Sequence, residues 1–309
     1  MRALITGGAG FVGSHIAERL LAAGDEVTIL DNLLTGRRGN VPAAATFVEG
    51  DIRDDVTVRA LGGVWDVIYH AAATYRDPTN WELDTRTNVI GTINVVREAQ
   101  RSGAKLIYFQ TSLCYGINPY AMLPRRRAFP LPVDARLDPR GSYAVTKTAG
   151  EAFIRDSGVP YVSLRLANMF GPRNLSGPAP AFYKRLTAGQ PCTVVDSRRD
   201  YMFIDDLVDV AVKAATQGQG VYHVSSGRDY PTIDVYHAMT AALGMDLPEP
   251  AIVPRGADDA ATILLDPSRT EQEFDWEPQV TLADGIARAA AWYWINGVEA
   301  VFTHLKLGG

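Results

Sequence analysis

Tyr143 and Lys147 stand four residues apart in GSYAVTKTAGE (141–151), at the start of a stretch with helical character. Residues i and i+4 share a helix face, so both side chains can address one ligand. A free phenol, with a pKa of about 10, is a poor base at neutral pH. An ammonium group beside it stabilises the phenolate and lowers that value. The chemistry such a pair suits is removal of a proton from a hydroxyl whose carbon is being oxidised. Thr111 and Ser112, directly after the apolar run KLIYFQ (105–110), offer hydroxyls that can hydrogen-bond the reacting oxygen.

A second constellation lies at the N-terminus. LITGGAGFVGSHI places Gly7, Gly10 and Gly13 between an apolar run and a helical pattern, in GxxGxxG spacing. Such a turn needs residues without Cβ clashes, and backbone N–H groups at a helix N-terminus suit a pyrophosphate. Asp31 ends the next apolar run, 18 residues past Gly13. There a carboxylate accepts from both hydroxyls of an adenine ribose and repels a 2′-phosphate, which favours NAD over NADP. Arg37 and Arg38 keep NADP open as an alternative. Asp51, in GDIRD (50–54), sits at the end of a third run, where it suits the adenine edge or serves as a turn former. The positive ring of an oxidised nicotinamide would then add its charge to that of Lys147 beside Tyr143.

The elements that must position these groups are legible as alternating runs. ALIT (3–6), EVTIL (26–30), TFVEG (46–50), DVIYH (66–70), KLIYFQ (105–110) and YVSLRL (161–166) are short and rich in β-branched and aromatic residues, as strands buried on both faces are. Helical patterns fall near 11–23, 54–61, 84–102 and 143–157, several closed by glycine. Strand then helix, repeated, predicts an α/β fold with a doubly wound parallel sheet. After 170 come Pro- and Gly-rich loops, helices near 180–188, 205–216 and 281–296, and one more strand at 220–226 that returns to the sheet. The expected division is a dinucleotide-binding domain over 1–170, with that returning strand, and a smaller substrate lobe over 171–309 interleaved with it. Residues 118–140 form a long stretch without pattern, the kind that serves as a functional loop.

Bulk properties narrow the ligand class. With 309 residues, 47% hydrophobic and 21% charged, the chain can bury a large core. A net charge of −5 argues against broad nucleic-acid binding, so an anionic ligand must meet positive charge locally. The first residues lack the features of a signal peptide, no stretch has the length of a membrane span, and Cys114 and Cys192 cannot build a disulfide framework. A cytoplasmic protein that does not engage a membrane is the expectation. The histidines at 15, 70, 223, 237 and 304 show no ligand spacing, and no metal site is expected.

TGGAGFVGSH, DNLLTG, GDIRD, HAAA, TNVIGTINVV, TSLCYG, YAVTK, RLANMFGPR and RRDYMFIDDLVD follow one another as in the extended short-chain dehydrogenase/reductases. The whole chain resembles a nucleotide-sugar epimerase of the UDP-galactose 4-epimerase type. That resemblance implies a catalytic hydroxyl on Thr111, four residues before Tyr115, with Ser112 as its neighbour, and Tyr143 and Lys147 as the remaining catalytic groups. It implies cofactor contacts from the turn residues Gly7, Gly10, Phe11, Val12 and Gly13, from Asp31, Asn32 and Gly36 after the second strand, and from Asp51 and Ile52 after the third. Ala71, Ala72 and Ala73 of HAAA would line the cofactor, and Asn88 would support the active-site loop. Asn168, Arg199 and Arg255 would hold the substrate diphosphate, and bidentate arginine suits that anion. A homodimer built from the helices near 84–102 and 143–157 is also implied.

Departures from related patterns narrow the reaction. The 4,6-dehydratases carry Asp-Glu after the threonine and the decarboxylases carry Thr-Ser-Glu, whereas this chain has Ser112 and Leu113. Without an acid–base pair there, elimination at C5 and C6 has no agents. Cys114 directly precedes Tyr115, one position off the cysteine of C3/C5 epimerases, and reads as packing. TVVDSRRDY has a shortened loop, which makes a nucleotide diphosphate a firmer expectation than uridine. Arg125, Arg126 and Arg127 read as a solvated charge run or as recognition of a carboxylated sugar. The expected reaction is NAD-dependent C4 epimerisation of a nucleotide-diphosphate sugar through a transient 4-keto intermediate. The alternatives are a nucleotide-sugar 4-reductase or dehydrogenase with net NAD(P)H turnover, and a non-catalytic dinucleotide sensor.

Overall fold

Apolar runs bounded by glycine and polar turns become the strands of one parallel sheet. The computed structural model describes residues 1–75, 77, 79–116, 129–256, 262–298 and 301. Strands β1 (Arg2–Thr6), β2 (Glu26–Asp31), β3 (Thr46–Glu49), β4 (Val67–His70), β5 (Lys105–Thr111) and β6 (Tyr161–Leu166) alternate with helices α1 (Phe11–Ala22), α2 (Asp55–Ala60), α3 (Trp81–Asp84), α4 (Thr92–Ser102) and α5 (Gly141–Asp156). A π-helical turn, Thr85–Gly91, joins α3 to α4 without a break. The helical segment near 84–102 thus begins earlier, at Trp81, with Asn80 accepting from the Leu83 N–H as its cap.

Beyond β6 the chain adds β7 (Asn168–Phe170), α6 (Pro178–Thr187), β8 (Thr193–Val195), β9 (Arg198–Arg199), β10 (Tyr201–Phe203) and α7 (Ile204–Ala214). It continues with β11 (Gly220–Val224), β12 (Tyr230–Pro231), α8 (Thr232–Ala242), β13 (Ala251–Val253), α9 (Ser268–Phe274) and α10 (Leu282–Asn296). The main sheet has seven strands in the order β11-β6-β5-β4-β1-β2-β3, all parallel. β11 therefore returns to the sheet edge, as its sequence suggests. The remaining strands form two-stranded pairs: β10 with β7, β12 with β9 and β13 with β8. Helices α8 and α9 were not foreseen in the sequence.

Core side chains lie on both sides of the sheet. Ile5, Ile29, Tyr69, Ile107 and Leu164 pack toward α1 and α7. Leu4, Leu30, Ile68, Leu106 and Tyr108 pack toward α2, α4 and α5. This two-sided burial gives the strands their nearly unbroken apolar sequences. Gly150 lets α5 lie close to α4 and the sheet, because a Cβ there would meet Asn88 O and Tyr108 Oη at 2.8 Å each.

Candidate active site

The strand register gathers the chemistry at one sheet edge. Thr6 pairs with His70, His70 with Tyr108, and Thr111 with Leu166, so the segments after β1, β4, β5 and β6 leave the sheet side by side. Those segments carry Gly7, Ala71, Ser112 and Asn168. In an open α/β sheet, ligands bind at this carboxyl end.

The turn after β1 is shaped by backbone. Gly7 has φ +72, and a Cβ there would stand 2.6 Å from Ala72 N; a Cβ on Gly13 would stand 2.5 Å from Gly7 O. Only glycine lets the β1 turn, the start of α1 and the HAAA segment approach this closely. Gly10 precedes α1 with no side-chain cap, and the first turn of α1 holds no acidic residue. Its N-terminal positive potential therefore meets no carboxylate from its own first turn and suits a pyrophosphate near Phe11, Val12 and Gly13.

Asp31 Oδ2 accepts the Ala9 N–H at 3.0 Å and Oδ1 accepts the Leu33 N–H at 2.8 Å. Each carboxylate oxygen retains a lone pair for a ribose hydroxyl. Burial pushes the Asp31 carboxyl up, and the two backbone donors oppose that shift. A Cβ on Gly36 would lie 2.9 Å from Asp31 Oδ1, so glycine keeps the approach to that carboxylate open. Arg38 stacks its guanidinium 4.1 Å from the Phe47 ring centroid. Asn32 donates to Asp51 at 2.7 Å, and Arg53 pairs with the same carboxylate. Although burial opposes it, the hydrogen bonds from Arg53 and Asn32 hold Asp51 below the usual carboxylate range. Ile52 is buried beside it.

Tyr143 and Lys147 leave the first two turns of α5 toward this edge. Tyr143 is half-buried and shares a hydrogen bond with the Thr111 side chain. Thr111 Oγ1 also accepts the Leu113 N–H at 3.2 Å, which fixes its rotamer. Burial raises the Tyr143 phenol above its ordinary value, Tyr75 and Asp84 add to the rise, and the Thr111 hydrogen bond opposes it. Lys147 is 2% exposed, with Nζ 3.9 Å from the Tyr108 ring centroid. Burial lowers it to about 7, and the Glu151 carboxylate opposes that fall. Ser112 is buried next to Thr111.

Several members of this constellation have no sequence motif. Asn88 accepts the Thr74 N–H at 2.9 Å and donates to Thr74 O and to Thr146 Oγ1, both at 3.0 Å. Thr74 Oγ1 donates to Asp84 at 2.9 Å. The π turn thus clamps the segment after β4 and sets the Tyr75 ring 5.8 Å from that of Tyr143. Tyr75, in the unusual stretch TYRDPTNW (74–81), and Asp84 and Tyr108 belong to no motif, and only the contact across elements identifies them. Glu151 alone carried a signal: it continues the four-residue spacing of Tyr143 and Lys147.

The groups expected to hold a diphosphate lie off the same edge. Asn168 pairs in register with Tyr201, and its N–H donates to Asp200 O at 2.9 Å, which brings Asn168 close in sequence register to Arg199. Arg199 donates to Arg198 O at 2.7 Å, and Arg198 is tied to Asp229 at 2.6 Å. Arg255 is exposed two residues past β13, which runs parallel to β8, so it leaves that pair at the end that leads toward Arg199. Arg125, Arg126 and Arg127 lie outside the described residues. Cys114 is fully buried and pushed up to about 12 by that burial, as packing rather than reactivity requires. Among the described residues no group of His, Cys, Asp and Glu could hold a metal, and no helix is long and apolar enough to cross a membrane.

The cradle fits a dinucleotide on three counts: the glycine contacts, the uncapped α1 and the Asp31 lone pairs. Comparison with known proteins agrees. The NAD dependent epimerase/dehydratase family matches residues 3–225. A UDP-glucose 4-epimerase of Mycolicibacterium smegmatis is 32% identical over 317 residues, covering 95% of this chain and 98% of that one. The crystal structure of the Bordetella bronchiseptica enzyme WbmH in complex with NAD+ superposes with a TM-score of 0.90 at 43% identity, over 96% of this chain and 99% of that one. WbmG of the same organism, in complex with NAD and UDP, gives 0.88 at 40% identity over 98% and 97%. Matched over most of its length, this chain belongs to the NAD dependent epimerase/dehydratase family, nucleotide-sugar enzymes whose cofactor is NAD.

Proposed function

We propose that the protein inverts C4 of a UDP-hexose or a derivative of one, with no net oxidation. The observation that carries this reading is the Tyr143–Thr111 hydrogen bond at the sheet edge, followed by Ser112 and Leu113 where an acid pair would be needed for elimination. Uridine is favoured by the likeness to WbmG, which was crystallised with UDP.

Tyr143 accepts the proton of the C4 hydroxyl, and Thr111 donates to the same oxygen as it gains carbonyl character. When bound, NAD supplies the acceptor for the hydrogen leaving C4 and the donor that returns it. Burial keeps the phenol protonated in the chain alone, so the basic form requires positive charge nearby. Lys147, one turn along α5, is the chain's own source of it. Asn168, Arg199 and Arg255 hold the diphosphate, leaving the ketone free to present its other face, and Tyr143 then gives the proton back. Residues 1–170 with β11 form the cofactor half, and the later segments form the substrate half.

Two copies pair through the π turn with α4 and through α5, where Ile90 of the π turn and Val145 and Phe153 of α5 are exposed large apolar side chains. The deciding experiment incubates purified protein with UDP-glucose, UDP-N-acetylglucosamine and UDP-glucuronate and resolves the sugars. Formation of the C4 epimer without consumption of added NAD(H) is the expected result. Consumption of added cofactor, or loss of carbon dioxide or water from the sugar, overturns it.

A further inference from the structure

Lys147 is buried in a pocket that disfavours its charge, and yet proton transfer by Tyr143 draws on that charge. The structure contains a counterweight on the same helix face. Tyr143, Lys147 and Glu151 succeed one another at four-residue intervals along α5, and side chains so spaced are neighbours. Glu151 is 4% exposed and faces inward. Its Oε1 accepts from Arg165 Nη2 at 2.5 Å, and its Oε2 accepts from Ser163 Oγ at 2.7 Å and from Arg165 Nε at 3.2 Å.

Arg165, also 4% exposed, is fixed in turn. It donates to Tyr115 Oη at 2.7 Å and to Val133 O at 2.9 Å, and Tyr115 Oη meets His223 Nε2 at 2.6 Å. A carboxylate this fully hydrogen-bonded cannot swing away from its place.

We propose that Glu151, locked by Arg165, is a positioning residue for the reaction, holding the Lys147 ammonium in its charged form one turn from Tyr143.

The other groups around Lys147 cannot do this. On its own helix, Tyr143 is a neutral phenol in the chain alone. From β5, Tyr108 offers a ring face, which attracts an ammonium without carrying charge. From β4, His70 is held neutral by burial, with the Lys147 charge adding to that effect. From the π turn and α4, Asn88 and Thr92 are uncharged. Behind Glu151, Ser163 is neutral, burial pushes His223 down to about 4, and Glu151 is the carboxylate with which Arg165 pairs among the described residues.

This inference rests on Tyr143 as the base, and the test separates the two. Tyrosinate absorbance of the NAD-loaded enzyme is titrated in the Glu151 and Glu151→Gln backgrounds, each minus its Tyr143→Phe counterpart. The difference isolates the Tyr143 phenol whether or not turnover occurs. Loss of the Glu151 charge is expected to move that midpoint up by about one pH unit, with kcat at pH 7 falling about tenfold and KM unchanged. Glu151→Asp, which keeps the charge, is expected to restore the midpoint.

Should Glu151→Gln lose the fold through a stranded Arg165 charge, the double variant Glu151→Gln/Arg165→Met reads the same midpoint and is expected to move it up by less, because the Arg165 charge leaves with that of the carboxylate next to Lys147. An unmoved midpoint in a folded variant, or a fall in kcat equal at every pH, overturns the inference. Failure of the base assignment shows separately, as full activity in Tyr143→Phe.

Discussion

The two ends of the binding edge are built from different materials. Around Gly7 and Gly13 the site is made by backbone, with contacts that a single Cβ at 2.5 or 2.6 Å would destroy. Around Tyr143 and Lys147 it is made by side-chain charge in a dry setting, with the ammonium 2% exposed over an aromatic ring. The backbone part of that cradle has no protonation state, so its share of binding does not change with pH. A charge-made site works only while its members hold the right protons. The comparison predicts that cofactor retention and turnover are separable here.

The sharpest break between the two is expected from Tyr143→Phe. Removing the phenol oxygen takes away the base and the Thr111 hydrogen bond while the turn after β1 is untouched. We expect kcat to fall by about 10²–10⁴ with NAD retention unchanged, read by steady-state kinetics and by cofactor released on denaturation. If NAD were lost in parallel, the two ends would be one unit and the comparison would fail.

The reciprocal change is Gly13→Ala. Its Cβ would press on Gly7 O at 2.5 Å and Gly8 Cα at 2.8 Å, both backbone atoms that cannot rotate aside. A strain of about 1–3 kcal/mol corresponds to roughly five- to 150-fold weaker NAD binding. Calorimetric titration with NAD measures it, and the pH dependence of kcat in NAD-saturated enzyme should not move.

That asymmetry also explains what could be read from the chain alone. The turn, Asp31 and the alternation of strand and helix that makes a parallel sheet were legible because backbone geometry demands particular residues at particular spacings, and glycine has no substitute in the turn. Tyr143, Lys147 and Thr111 were legible because helix periodicity and a strand end fix their directions. Tyr75, Asp84 and Tyr108 were not, since each reaches the site by a contact between elements distant in sequence. The π turn was hidden for a related reason: Thr85–Gly91 has ordinary helical composition, and its widened geometry serves the bonds from Asn88 to Thr74 and Thr146. Helices α8 and α9 escaped because their apolar residues are interrupted by polar ones on buried faces, such as Thr232, Thr240 and Thr270.

The substrate side proposed above extends the comparison, since its charges would face a diphosphate rather than a proton. Arg199 lies on the short β9 strand, anchored through Arg198 to Asp229. Replacing Arg199 with Ala removes a charge-assisted contact of about 1.5–3 kcal/mol. The expected result is a KM for the nucleotide sugar raised about 10- to 150-fold, with NAD binding and the pH profile of kcat both unchanged. A change confined to NAD binding would move Arg199 to the other side of the comparison.

The smallest effect sharpens the contrast most, because it concerns the cost of a charge rather than its use. Lys147 falls from 10.5 in an unfolded chain to about 7 when buried. Between those values the unfolded chain holds a proton that the folded protein lacks, so stability rises with pH across the window, and the penalty is complete below about 7. Lys147→Met keeps the length of the side chain and removes the penalty. In NAD-free protein at pH 7 it should therefore raise stability on the order of 1 kcal/mol and flatten the pH dependence of thermal unfolding between 7 and 10 while abolishing turnover. A variant no more stable than the parent would mean that Glu151 and the Tyr108 ring already compensate the buried ammonium in full. The charge-made half of the site would then be as settled as the backbone-made half.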